Sequence, residues 1–181
     1  MVLLIGGSSH VGKTLIAHKL MEKHNIPYFS LDYLKMAFVN TRITDLTLED
    51  DYELRYAMWP FVVEIIKAAV DNKQNLILEG CYIPAEWQDS FPKSYLKEIQ
   101  SVFVVMSENY IRTNQADIFD YADVIQARID DVVDIERLVN CSIGFKEDAI
   151  ENQIPYLEIS EKFDIDEIVL EAEELLNISK E

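Results

Sequence analysis

The residues best suited to chemistry stand near the start of the chain, in GGSSHVGKT, Gly6 to Thr14. The 181-residue sequence has five glycines, and three of them fall within this short stretch. The spacing is G-x-x-x-x-G-K-[ST]: Gly7, then Ser8, Ser9, His10 and Val11, then Gly12, Lys13 and Thr14. Glycines at both ends let the backbone curl until its N–H groups converge on an anion. The Lys13 ammonium reaches β- and γ-phosphate oxygens, and the Thr14 hydroxyl is a hard ligand suited to Mg²⁺. Gly7 through Leu15 are therefore candidates for holding ATP with Mg²⁺. A ligand-free glycine turn is the plain alternative. The other glycine-rich nucleotide pattern, G-x-G-x-x-G, is absent.

Such a loop works only between a strand that fixes it and a helix that aims its positive end at the phosphates. VLLI (2–5) precedes it, and a helical pattern over Lys13–His24 follows. Further strand-like runs are IPYFS (26–30), NLILE (75–79), SVFVVM (101–106) and PYLEI (155–159). Helical patterns lie between them at Leu31–Phe38, Leu48–Asn72, Tyr95–Glu98 and within the long stretch Asn109–Asn152, with a last one at Asp164–Leu176. Thr47 and Asp50 have the spacing of a capping box before the long helix. Strands alternating with helices imply an α/β layer fold with a largely parallel sheet.

With the Asp in FSLDYL and the Glu-Gly in LILEGCYIP, the loop makes the sequence resemble the small P-loop kinases. That group includes nucleoside-monophosphate, shikimate and gluconate kinases and chloramphenicol phosphotransferase. Zeta-toxin-like and 2-phosphoglycerate-kinase-like members are the nearest in pattern. The resemblance implies a P-loop NTPase fold: a five-stranded parallel sheet of order 2-3-1-4-5, helices on both faces and a helical lid around 107–140. It also implies transfer of the γ-phosphoryl group of ATP to a small-molecule acceptor.

Asp32 is the candidate for accepting the acceptor hydroxyl's proton or orienting hydrated Mg²⁺; a helix N-cap is its bland reading. Glu79, with Gly80, closes the third apolar run, where a carboxylate needs water, metal or a cation. It is a candidate for acceptor or metal-water contacts, or else a strand-end acid. Tyr82 and Trp87 line an acceptor pocket or simply pack. Arg112, Arg128 and Arg137 fall where the related kinases carry lid arginines, although the R-x-x-x-R lid spacing is missing and surface ion pairs would also account for each. Arg42 and Arg55 fall where acceptor-binding helices lie in the relatives, and would meet an anionic acceptor. His18 and His24 read as helix-face residues.

The length fits one domain, and 49% apolar with 27% charged residues argues for a folded globular chain. Sixteen basic against 33 acidic residues give a net charge of −17, which disfavours nucleic acid and anionic membranes as partners. No apolar run approaches a membrane span or a secretory leader. Cys81 and Cys141 are too few for a disulfide framework, so reduced thiols in a cytoplasmic monomer or homodimer are expected. Two further function classes stay open: a nucleotide-binding module that regulates a partner without turnover, and an adenylate-kinase-like enzyme. Against the latter, EGCYIP stands where that family carries D-G-F-P-R.

Overall fold

A computed structural model describes residues 1–121 and 134–178. Five strands form one parallel sheet: β1 (Val2–Gly7), β2 (Tyr28–Ser30), β3 (Leu76–Glu79), β4 (Ile99–Met106) and β5 (Tyr156–Ile159). They lie in the order β2-β3-β1-β4-β5, as the resemblance implies. The helices are α1 (Lys13–His24), α2 (Leu31–Thr41), α3 (Asp51–Asp71), the single turn α4 (Lys93–Leu96), α5 (Glu108–Thr113), α6 (Gln115–Tyr121), α7 (Ile135–Glu151) and α8 (Ile165–Leu175).

Alternation along the strands supplies both faces of the sheet with apolar side chains. Val2 and Leu4 of β1 join Phe103 and Val105 of β4 in one core, against Met58, Val62 and Ile66 of α3. Leu3, Ile5, Val102 and Val104 point the other way, against Ile16 and Leu20 of α1 and Val169 and Ala172 of α8. Period-two burial on two covered faces is what a parallel sheet requires. Helix α7 serves both layers, with Leu138 and Val139 in the second core and Phe145 and Ala149 in the first.

Three boundaries differ from the sequence reading for physical reasons. Thr47 donates both its N–H and its hydroxyl to Asp50 Oδ2, at 2.7 and 2.8 Å. The pair closes a turn, and helix α3 starts only at Asp51. Strand β4 begins at Ile99, because Ile99 and Gln100 pair with Val2 and Leu3 of β1. The stretch read as helical from Asn109 contains α5, α6 and α7 among the described residues. Arg128 lies outside them, as does part of the expected lid.

Register brings the chemistry to one end of the sheet. Ile5 of β1 and Ser30 of β2 both pair with Glu79 of β3, so β2 and β3 stop at one level and β1 runs two residues further, to Gly7. Ligands of open parallel sheets sit beyond the carboxyl ends of the strands.

Candidate active site

The glycine-rich loop rises from the end of β1. Gly7 has φ +118°, and a Cβ there would run into the Val104 backbone of β4. Only glycine combines that backbone angle with so close an approach. Gly12, at φ +81°, is the N-cap of α1 and brings no side-chain cap. Among the described residues the N–H groups of Val11, Gly12, Lys13, Thr14 and Leu15 make no hydrogen bond. These are the orphan donors of a helix N-terminus, the natural complement of an anion.

Lys13 is buried at 7% exposure, and its Nζ donates to Ser8 O at 2.6 Å and Cys81 Sγ at 3.2 Å. Thr14 donates its hydroxyl to Glu79 Oε1 at 3.1 Å. Glu79 is 1% exposed. Burial pushes its pKa up, against the pull of the Lys13 charge, while nearby Asp32 pushes it up further. The Ser30 hydroxyl also favours the carboxylate, but from outside good hydrogen-bond geometry, so its buried Oγ stays unpaired.

Asp32 stands half-buried in the first turn of α2, close enough to Glu79 and Tyr82 to raise the pKa of both. Ser30, not Asp32, takes the N-cap position of that helix. The capping role is therefore not what places Asp32. Tyr82 is buried, with its hydroxyl donated to Asp51 Oδ1 at 2.9 Å and Lys35 Nζ 5.1 Å from its ring centroid. Burial and the nearby acids raise its pKa, which keeps the phenol protonated. Trp87 is a core residue, edge-on to Phe91.

The arginines separate. Arg55, half-buried on α3, lies 4.9 Å above the Phe145 ring, and its buried Nε has no partner among the described residues. Its charge reaches Asp148 and Cys141. Arg42 is exposed at the end of α2 remote from Asp32. Arg112 is held by Glu108 at 2.8 Å and by both oxygens of Glu136 at 2.6 and 3.0 Å, tying α5 to α7. Arg137 bonds Asp51 Oδ2 at 3.2 Å, tying α7 to α3. In the loop, His10 has a left-handed backbone (φ 62°), and its Nδ1 lies 2.8 Å from Ser9 Oγ. His18 pairs with Glu22 and His24 with Glu173 on helix faces.

Thr14, Glu79 and Asp32 are all oxygen donors, the chemistry that Mg²⁺ prefers when phosphates and water complete its shell. The described residues contain no cluster of three or more His, Cys, Asp or Glu that would cage a metal by itself. A donor set this sparse fits magnesium carried in with a nucleotide. The sequence marks Cys81 only by its place directly after Glu79-Gly80. Asp51, Lys35 and Ser142 likewise belong to no motif.

No protein-family model matches the chain, and no curated protein matches it. Solved structures do match over nearly the whole length. A gluconokinase from Sinorhizobium meliloti 1021 aligns at TM-score 0.57 and 15% identity, over 97% of this chain and 91% of that one. A sugar kinase from Janibacter sp. HTCC2649 aligns at TM-score 0.59 and 16% identity, over 98% and 95%. Deoxyadenosine kinase from M. mycoides aligns at TM-score 0.58 and 12% identity, over 98% and 99%. The chain has the fold of the small P-loop kinases.

Proposed function

We propose that the protein is an ATP-dependent phosphotransferase that moves the γ-phosphoryl group to a small-molecule acceptor. One observation carries the reading: five N–H groups with no partner among the described residues and the buried Lys13 ammonium lie at the sheet end where Glu79 and Asp32 also lie. The kinases among the solved structures of the same fold support it.

In this reading the N–H groups of Val11 to Leu15 hold the phosphate chain, and Lys13 exchanges Ser8 O and Cys81 Sγ for phosphate oxygens. Bound Mg²⁺ would neutralise phosphate charge, with Thr14 and Glu79 as its protein-side contacts. Asp32, which makes no hydrogen bond or ion pair among the described residues, accepts the proton of the acceptor hydroxyl. Arg55 supports an acceptor with an anionic group. A half-buried arginine whose Nε finds no acceptor among the described residues, in a chain with twice as many acids as bases, is a site for a ligand's negative charge.

The test is calorimetric. Wild type should bind MgATP, and Lys13→Ala should lose most of that affinity; equal binding by the two would remove the loop from the mechanism. Acceptors are then screened as MgATP pairs in thermal melts, with hydroxy acids, sugars, nucleosides and sugar phosphates as arms. Carboxylated or phosphorylated members should add to the MgATP shift. A panel in which nothing adds, with no phosphorylated product, would favour a nucleotide-binding module without turnover.

A further inference from the structure

Ser142 sits on α7, far in sequence from the phosphate loop, and is 1% exposed. Its Oγ accepts from Met106 N–H at 2.8 Å, donates to Met106 O at 2.8 Å and lies 3.2 Å from Ser8 Oγ. A hydroxyl has one proton to give. With that proton on Met106 O, the Ser8 hydroxyl must be the donor in the third contact. Ser8 is also fully buried; its N–H donates to Val104 O at 3.1 Å and its carbonyl holds Lys13 Nζ at 2.6 Å. All three polar groups of Ser8 are thus committed, one of them to α7.

From this hub we infer that Ser142 is a positioning residue for the phosphate loop. It anchors the Ser8 hydroxyl to the end of β4, and the Ser8 carbonyl in turn fixes where the Lys13 ammonium waits. The inference rests on the reading of that loop as a nucleotide site. Packing alone does not call for a hydroxyl here, because α7 docks through Leu138, Val139, Phe145 and Ala149. Burying a hydroxyl among such residues is unfavourable unless every bond is made. Here all of them are, and one leads directly into the loop.

The experiment compares wild type, Ser142→Ala, Ser8→Ala and the double variant. MgATP affinity is measured by titration calorimetry well below each melting temperature, with steady-state KM values for MgATP and for the acceptor that the screen yields. Ser142→Ala should weaken MgATP binding about tenfold, with the acceptor KM unchanged. Ser8→Ala should do much the same, and the double variant should be no worse than the weaker single, because both changes cut one link. A folded Ser142→Ala protein that binds MgATP as tightly as wild type overturns the inference, as does strict additivity. A drop in melting temperature with unchanged affinity also overturns it, by reducing Ser142 to a packing residue. If Ser142→Ala does not fold, Ser8→Ala decides alone, and wild-type affinity there is fatal. Wild type that fails to bind MgATP removes the nucleotide reading and this inference together; tight wild-type binding with indifferent variants removes the inference only.

Discussion

Glu79 shows how a single side chain trades stability against chemistry. Its folded pKa is raised by burial, so the native state keeps its proton at a pH where the unfolded chain has already lost it. Stability from this group is therefore full below the ordinary carboxylate range, and is lost as pH rises toward the raised folded value. Glu79→Gln should flatten that loss while leaving an amide for the Thr14 hydroxyl. A gain of about 1 kcal/mol would lift the melting temperature by about 2–4 °C at pH 8, read by calorimetry from pH 4 to 8, while MgATP binding weakens. A variant that melts lower at pH 8 would contradict a cost of ionising Glu79 in its buried place. Asp32→Asn addresses the transfer step: kcat should fall about 10²–10⁴-fold with MgATP affinity intact. Single-turnover kinetics would show it, and a normal rate would strip Asp32 of the proton-accepting role. The loop's course was legible because its motif is contiguous and its glycines set the backbone angles. Cys81, Asp51 and Ser142 were not, since their meaning lies in contacts made across the fold, 3.2 Å from Lys13, 2.9 Å from Tyr82 and 3.2 Å from Ser8.

At the scale of elements, α7 ties several parts of the fold together. Glu136 grips Arg112 of α5, Arg137 grips Asp51 of α3, and Ser142 reaches the loop and β4. Yet the helix has a weak point in its own middle. A Cβ added at Gly144 would meet nothing within 4 Å, and Gly144 has none of the unusual backbone angles that would demand glycine. Gly144→Ala should therefore stabilise the protein by about 0.5–1 kcal/mol through helix propensity, seen as a higher urea midpoint at unchanged m-value. A lower midpoint would mean that α7 needs to bend there. Periodicity located the helices α1, α3 and α8 well, because each turns an apolar stripe to the sheet. It read α3 three residues long at the start, since the Thr47–Asp50 side-chain bonds form a turn that competes with the helix.

For the whole molecule, the alternating order of elements implied a parallel sheet, whereas the strand order came from the resemblance. Composition alone does not say which strand pairs with which, because β1, β3 and β4 are all buried apolar runs of similar type. The described helices include none long and apolar enough to cross a membrane. A net charge of −17 means self-repulsion spread over the surface. Added sodium chloride shortens the Debye length from about 10 Å at 0.1 M to about 3 Å at 1 M. The melting temperature should rise across that range, and a steady fall would show that surface ion pairs such as Arg112–Glu136 outweigh the repulsion.

The contacts of Lys13 bear on how a guest enters. Its ammonium surrendered most of its hydration when the polypeptide condensed, and a carbonyl and a sulfur took the place of that water. On the proposed function, an incoming triphosphate would not have to dehydrate this cation; it would displace two weaker companions that are already in place. Much of the cost of readiness is therefore incurred at folding, long before any encounter.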